Sequence, residues 1–313
     1  MLRRPVSVAQ PLSFGSLGHR ALEAWWKAPA SIRLTEARRV IEESDTDPLD
    51  RIIAIELITG YHARWADEPI TAVAVESQFE MDLVNPATES FSRTWTIGGK
   101  LDAIVERAGR FWLMEHKFIS STIDIRPGTV YWQKLQLDSQ ISTYVAGAES
   151  RGHPVIGCIY DVIRKPRIKP LLATPIENRR YKKDGALYAN QREFDETLEE
   201  YRIRLHDDIA TNPDSYYQRG EVFRNREEEN AAGFDLWRVA KNIRACEKDN
   251  CWPRNSDSCW KYERACDYWP VCIKETSIDD PIRFRTAENP NEELKGRNDD
   301  ASSTTETTTA GAI

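Results

Sequence analysis

The stretch "FWLMEHKF", residues 111–118, sets a carboxylate, Glu115, and an ammonium, Lys117, one residue apart in an otherwise apolar run. Its aromatic and aliphatic residues read as a half-buried β-strand, in which alternate residues share a face. Phe111, Leu113, Glu115 and Lys117 then lie on one side, with Trp112, Met114 and His116 on the other. The two charged groups emerge together at the strand's C-terminal end. Alone, they read as an ordinary strand-end ion pair.

The preceding segment "GGKLDAIVE", residues 98–106, repeats the pattern, because Asp102 interrupts an apolar surface and projects opposite to Leu101 and Ala103. The turn signal "RAGR", residues 107–110, makes the two strands neighbours and can bring Asp102 and Glu115 together. Two close carboxylates repel and are costly to bury unless positive charge sits between them. A divalent cation supplies that charge, and carboxylate oxygens suit Mg²⁺ or Mn²⁺. A lysine beside it can orient an attacking water and stabilise charge on a phosphate. In the segment that follows, "YWQKLQLDSQISTYVAGAES" reads as one helix. Gln140 and Tyr144, four apart, share a helical face with Gln136.

An Asp on one strand, Glu-x-Lys on the next and a Gln-x-x-x-Tyr face on the following helix resemble the RecB-type branch of the PD-(D/E)XK nuclease superfamily. The resemblance covers roughly residues 50–165. It is nearest to phage and prophage members in the wording "GKLDAIVE", "LMEHK", "LDSQISTY" and "YDVIRKP". It implies a central mixed sheet of the restriction-endonuclease type flanked by helices. It also implies that Asp102 and Glu115 are metal ligands, that Lys117 is the catalytic lysine, and that Gln140 and Tyr144 steady the site and contact DNA. That branch often carries a histidine ligand on a helix before the strands, and His62 in "GYHARW" is the matching candidate; a core histidine among Ile55, Ile58 and Trp65 is the alternative. Glu76 or Glu80 on the first strand are further candidates to approach the metal.

Five of the six cysteines, Cys246, Cys251, Cys259, Cys266 and Cys272, crowd into residues 246–272, whereas Cys158 stands alone in the apolar run "PVIGCIYDVI". With no export signal read in a long chain, clustered thiols point to metal ligation before disulfides. Four thiolates are the usual complement for a [4Fe–4S] cluster or a structural zinc. Many RecB-type nucleases hold such a cluster with one cysteine before the core and three after it. Cys259, Cys266 and Cys272 match the latter three, but "SLGHRALEAWW" offers no cysteine for the former. The expected ligand set is Cys251, Cys259, Cys266 and Cys272, for iron–sulfur or zinc, with Cys246 as the alternative fourth.

Around this centre, residues 16–66 read as helices that begin at serine caps. Residues 67–118 read as a three-stranded meander, and "PVIGCIYDVIRKP" as a buried strand returning alongside it. The expected organisation is a helical part (1–66), a nuclease core (67–245) to which 50–66 contribute, a Cys-rich segment (246–276), and a polar, low-complexity, disordered tail (277–313). The 313 residues carry 30% charged residues and a net charge of −7, which suits a globular enzyme and argues against coating nucleic acid by bulk electrostatics. Residues 164–183 run against that balance: eight lysines and arginines face Glu177 alone, as a solvated loop or a phosphate-contacting flank. No window approaches the roughly 18 apolar residues of a membrane span, and the N-terminus has no apolar run behind its arginines. The expectation is a cytoplasmic, Mg²⁺- or Mn²⁺-dependent exonuclease acting on DNA in recombination, replication or end processing, with a phage-type strand-annealing protein as a candidate partner and no membrane partner. The competing readings are a non-catalytic DNA- or protein-binding module on the same scaffold, and a zinc-organised interaction protein.

Overall fold

The computed structural model describes residues 2–6, 10–120, 122–261 and 264–287. The chain divides into two compact units, residues 8–253 and residues 1–7 with 254–313. Strand β1 (Leu2–Pro5) belongs to the smaller unit. The larger unit opens with α1 (Gln10–Lys27), α2 (Arg33–Glu42) and α3 (Pro48–Trp65). Asp47 starts α3: its carboxylate accepts the N–H groups of Leu49 (2.9 Å) and Asp50 (3.3 Å), and Pro48 follows at a position needing no donor. The expected serine caps are not found, because Ser16 lies inside α1 and the residue before α2 is Ile32, which has no side-chain acceptor.

Five strands follow, β2 (Ile70–Val84), β3 (Phe91–Arg107), β4 (Arg110–Ile119), β5 (Val155–Arg164) and β6 (Tyr217–Val222), and they lie in that order across one sheet. The first three form the antiparallel meander read from the sequence. Ala108 and Gly109, with φ of +52° and +71°, make the tight turn between β3 and β4, since a type I′ turn needs positive φ at both central residues. β5 returns parallel to β4, and β6 closes the edge antiparallel to β5. This is the mixed α/β sheet flanked by helices that the sequence implied.

The crossover to β5 differs from expectation. In place of one continuous helix it contains α4 (Val130–Lys134), a 3-10 turn at Leu135–Leu137 and α5 (Ser139–Ser150). The break has a local cause. Asp138 turns its carboxylate onto the N–H groups of Gln140 (2.8 Å) and Ile141 (3.3 Å) and begins a new helix. Gln136 therefore does not share a helical face with Gln140. Beyond the sheet core come α6 (Leu198–Thr211), α7 (Pro213–Tyr216) and α8 (Arg226–Asp249). Reciprocal capping boxes, Thr197 with Glu200 and Asn225 with Glu228, start α6 and α8.

Each face of the sheet has its own core. On one, Trp25, Ile41, Leu57 and Leu205 from the helices cover Ala103, Met114 and Ile159. On the other, Ile141, Val145 and Ala148 of α5 cover Leu101, Leu113 and Cys158. The helices of residues 10–65 are thus one wall of the sheet's core rather than a separate part, and the unit boundary falls after Pro253 instead of Ala245. In the smaller unit β1 pairs antiparallel with the strand at Phe284–Ala287. Tyr268 stacks on Phe284 at 5.4 Å and donates its hydroxyl to the Arg3 carbonyl at 2.8 Å. Residues up to 287 are therefore structured where a disordered tail was expected, and residues 288–313 lie outside the described residues.

Phe79 of β2 determines how closely α5 lies on the sheet. A Cβ added at Gly99 of β3 would come 2.6 Å from its ring, and one added at Gly147 of α5 would come 2.7 Å from it. The ring fills the space that both glycines leave. Phe79→Ala is expected to lower the unfolding free energy by about 3–5 kcal/mol in urea denaturation. A loss below about 1 kcal/mol would show that α5 is seated by other contacts.

Candidate active site

The β3–β4 ladder runs from Arg107↔Arg110 to Ala103↔Met114 and ends there. At the next position the N–H of His116 donates to Asp102 Oδ2 at 2.8 Å. A side-chain carboxylate takes the donor that a continued ladder would give to a main-chain carbonyl. Past this point β4 is held by β5, with Glu115 opposite Tyr160 and Lys117 opposite Val162. The carboxylate of one strand and the Glu-x-Lys of the next are thereby fixed to each other by the backbone.

From Glu115 a hydrogen-bonded chain runs to α5. Lys117 Nζ lies 2.8 Å from Glu115 Oε1 and donates to Gln140 Oε1 at 2.8 Å. Gln140 Nε2 donates to the Tyr144 hydroxyl at 2.9 Å, and the Tyr144 ring meets Phe79 edge-on at 6.0 Å. The start of α5 is clamped as well. Arg224 donates to the carbonyls of Leu135 (2.7 Å) and Asp138 (3.0 Å) and to Ser142 Oγ (2.8 Å). Asp138 thus sets where α5 begins, and Arg224 holds that start in place.

The histidine at this site is His19 of α1. Its Nδ1 lies 3.4 Å from Asp102 Oδ1. Gly18 lets α1 pass against the Phe118 ring with no room for a side chain, which brings the next residue over the carboxylate. Burial alone would lower the His19 pKa, but the hydrogen bond and charge of Asp102 outweigh it and raise the group above its ordinary value. Burial pushes the Asp102 carboxyl up, yet the hydrogen bond and charge of His19 and the His116 N–H hold it below the usual range. Glu115 goes the other way: burial first, then the charge of Asp102, push it up to about 7 against the opposing pull of Lys117. Lys117 is raised despite its burial, because Glu115 stabilises the ammonium.

His62, the residue expected from the sequence, stands elsewhere. Its Nδ1 accepts from Trp25 Nε1 at 3.1 Å, and burial followed by the Arg33 charge lowers its pKa. No described contact joins it to Asp102 or Glu115. Glu80 is exposed, opposite Gly98. Glu76 lies nearer: with φ of +55° it lines a cleft with Ser16, His19, Arg20, Glu23, Lys100 and Asp102, and it pairs with Lys100. Asp102, Glu115, Lys117, Gln140 and Tyr144 are therefore brought together, while His62 and Glu80 are not. His19, Asp138 and Arg224 are the additions. His19 was visible in "SLGHRALEAWW", but the choice between two helical histidines depends on which helix crosses the ladder's end.

Among the described residues all six cysteines are free thiols, and no three His, Cys, Asp or Glu side chains stand in a metal-holding array. Cys246 and Cys251 fall in the larger unit, Cys259, Cys266 and Cys272 in the smaller. Asp102, Glu115 and His19 at the ladder's end form no such array as they stand, but two carboxylates and an imidazole are donors of the type a divalent cation takes, and Glu115 is pushed up by the charge of Asp102.

Below the site, on the opposite face, His116 is held by a buried charge network. Asp161 Oδ2 lies 3.1 Å from His116 Nδ1 and accepts from the Tyr61 hydroxyl (2.9 Å) and Arg219 Nη2 (3.1 Å). Arg219 also donates to the Tyr61 hydroxyl at 2.7 Å and pairs with Glu68. The residue whose N–H positions Asp102 is thus anchored through its ring.

A family model for the PD-(D/E)XK nuclease superfamily matches residues 1–273. No curated protein matches the chain in sequence. The solved structure titled "Crystal structure of SSO0001" is similar over 63% of this chain and 72% of that one, at 15% identity and a TM-score of 0.23, a likeness that carries no argument. Among the described residues, no helix is long and apolar enough to cross a membrane.

Burial would raise the Asp161 carboxyl, but the Arg219 charge and the His116 hydrogen bond draw it down to about 2. A carboxyl depressed in the folded state contributes stability that is complete above its unfolded pKa of about 4 and disappears as the pH falls through the folded value. Unfolding free energy is therefore expected to fall between about pH 4 and pH 2, and Asp161→Asn to flatten that limb. The variant should also cost about 1–3 kcal/mol at neutral pH by weakening the hydrogen bonds of the charged Arg219, which keeps Glu68 as its ion-pair partner. A pH series of denaturation curves with the same acid limb in both proteins would refute the assignment.

Proposed function

The chain belongs to the PD-(D/E)XK nuclease superfamily, and from that premise we propose that it is a Mg²⁺- or Mn²⁺-dependent deoxyribonuclease whose active site is the end of the β3–β4 ladder. The observation that carries this reading is the convergence of Asp102, Glu115 and Lys117 with the Gln140–Tyr144 face, joined through contacts of 2.8–2.9 Å. Asp102, Glu115 and His19 would hold the cation. When bound, it would polarise the scissile phosphate and ease deprotonation of the attacking water.

The chain's own residues supply the rest. Lys117, kept as an ammonium, can turn a donor toward the attacking water and a non-bridging phosphate oxygen, where charge develops in the transition state. Gln140 holds that ammonium in line, and Tyr144 fixes the amide of Gln140. Hydrolysis joins the water oxygen to phosphorus and breaks one P–O ester bond, leaving one phosphate and one hydroxyl terminus. Exonucleolytic action in phage-type recombination or end processing, beside a strand-annealing protein, is the narrower form of the reading. It is supported by the resemblance of "GKLDAIVE", "LMEHK" and "LDSQISTY" to phage members.

Asp102→Asn, Glu115→Gln and Lys117→Ala are each expected to lower Mg²⁺-dependent cleavage of linear DNA at least about a hundredfold while the circular-dichroism spectrum is retained. Two of them cleaving at the parent rate would remove the assignment and leave a DNA-binding scaffold. The two histidines separate further. His19→Ala is expected to weaken Mn²⁺ binding in calorimetry and lower cleavage about tenfold or more, whereas His62→Ala leaves both near the parent value. The reverse order would return the ligand role to His62.

A further inference from the structure

Between β5 and α6 the chain makes an excursion of residues 165–197 that the catalytic site does not use. The excursion carries eight lysines and arginines against five acids, but three of those acids, Glu193, Asp195 and Glu196, lie at its return to α6, so residues 165–183 hold seven cations against Glu177 alone in a chain whose total is −7. Such a concentration in an otherwise acidic protein marks a surface for a polyanion. Its place is defined by the sheet. Arg164, the last residue of β5, pairs with Ile119, the last of β4, and the Lys165 N–H donates to the Ile119 carbonyl at 2.8 Å. The excursion therefore leaves the sheet at the end of β4 where Glu115 and Lys117 stand.

The excursion is built as an arm. Arg179 ties its base, donating to the carbonyls of Thr174 (2.9 Å) and Glu193 (2.8 Å). Gln191 bridges its two sides, accepting from the Arg180 N–H at 2.6 Å and donating to the Asn178 carbonyl at 2.9 Å. At the tip Tyr181 pairs with Leu187, the Lys182 N–H donates to the Ala186 carbonyl at 2.7 Å, and Gly185 takes φ of +82° for the turn. Tyr181 and Tyr188 are 58% and 49% exposed, large aromatic residues left in reach of a ligand. Arg180 lies across from Tyr188, whose N–H donates to the Arg180 carbonyl at 3.3 Å, and Lys182 and Lys183 follow Tyr181 into the turn. Among the described residues no carboxylate pairs with Arg180, Lys182 or Lys183.

We infer that the hairpin of residues 179–191 is an arm that holds a single DNA strand beside the active site, its tyrosines stacking on unpaired bases and its cations contacting phosphates; this rests on the deoxyribonuclease reading. A duplex keeps its bases stacked internally, so its phosphates can meet the cations while the tyrosines find no base face. Charge and stacking are thus separable by substrate.

The test uses the full chain carrying Lys117→Ala, so that DNA survives, with a fluorescein-labelled oligo-dT strand and a duplex of equal length read by anisotropy in Mg²⁺ over a salt series. Arg180→Ala, Lys182→Ala and Lys183→Ala together are expected to lower the salt slope for the single strand by about 2, from about 0.7 per phosphate contact. Tyr181→Ala with Tyr188→Ala is expected to weaken single-strand binding about tenfold or more and duplex binding less than about twofold. Equal losses on both substrates from the tyrosine pair, or no loss from either set, would overturn the arm. Cleavage by the parent protein reads the other claim. A chain that cleaves DNA but binds it independently of the hairpin loses only the arm. One that binds through the hairpin and never cleaves loses only the nuclease.

Discussion

The hydrogen bond from the His116 N–H to Asp102 Oδ2, 2.8 Å long, is the constraint on which the site depends. It lies where the β3–β4 ladder stops, so one backbone amide both ends regular pairing and places a carboxylate. Because strand residues alternate, fixing the main chain at His116 sends Glu115 and Lys117 to the Asp102 side and the imidazole to the other. There Asp161, Tyr61 and Arg219 immobilise the ring. A buried charge network beneath the strand thus supports a charge-strained site above it.

Strain of that kind is what a cation-binding site requires before its ion arrives. Asp102 is kept ionised by His19 and the His116 N–H, while Glu115 is left near neutrality by burial and by its neighbour's charge. Lys117 relieves part of the repulsion, but it is shared with Gln140 and is drawn toward α5. An added divalent charge would settle both carboxylates at once and leave Lys117 free to act on substrate.

Much of this could be read from residue order, because the relevant spacings are local. Alternation in "FWLMEHKF" fixed which side chains share a face. "RAGR" made its strand the neighbour of "GGKLDAIVE", and a four-residue step put Gln140 and Tyr144 together. What escaped reading was set by contacts distant in sequence. His19 and His62 both lie on helices before the sheet. Packing distant in sequence, including the close approach of Gly18 to Phe118, brings α1 across the ladder's end. The break at Asp138 was locally encoded but outweighed by the helical look of the flanking residues, and Arg224, 86 residues from the turn it clamps, carried no signal at all. The pairing of residues 2–5 with 284–287 is likewise a contact between chain ends that no local pattern announces.

The central claim is that an Asp–Glu–Lys site at the end of the β3–β4 ladder hydrolyses DNA with a divalent cation. The most direct measurement is digestion of end-labelled linear DNA by the full chain, first stripped with chelator and then resupplied with Mg²⁺ or Mn²⁺. No cleavage is expected after stripping, and full recovery on adding either ion. Cleavage that persists through chelation, or that neither ion evokes, would contradict it.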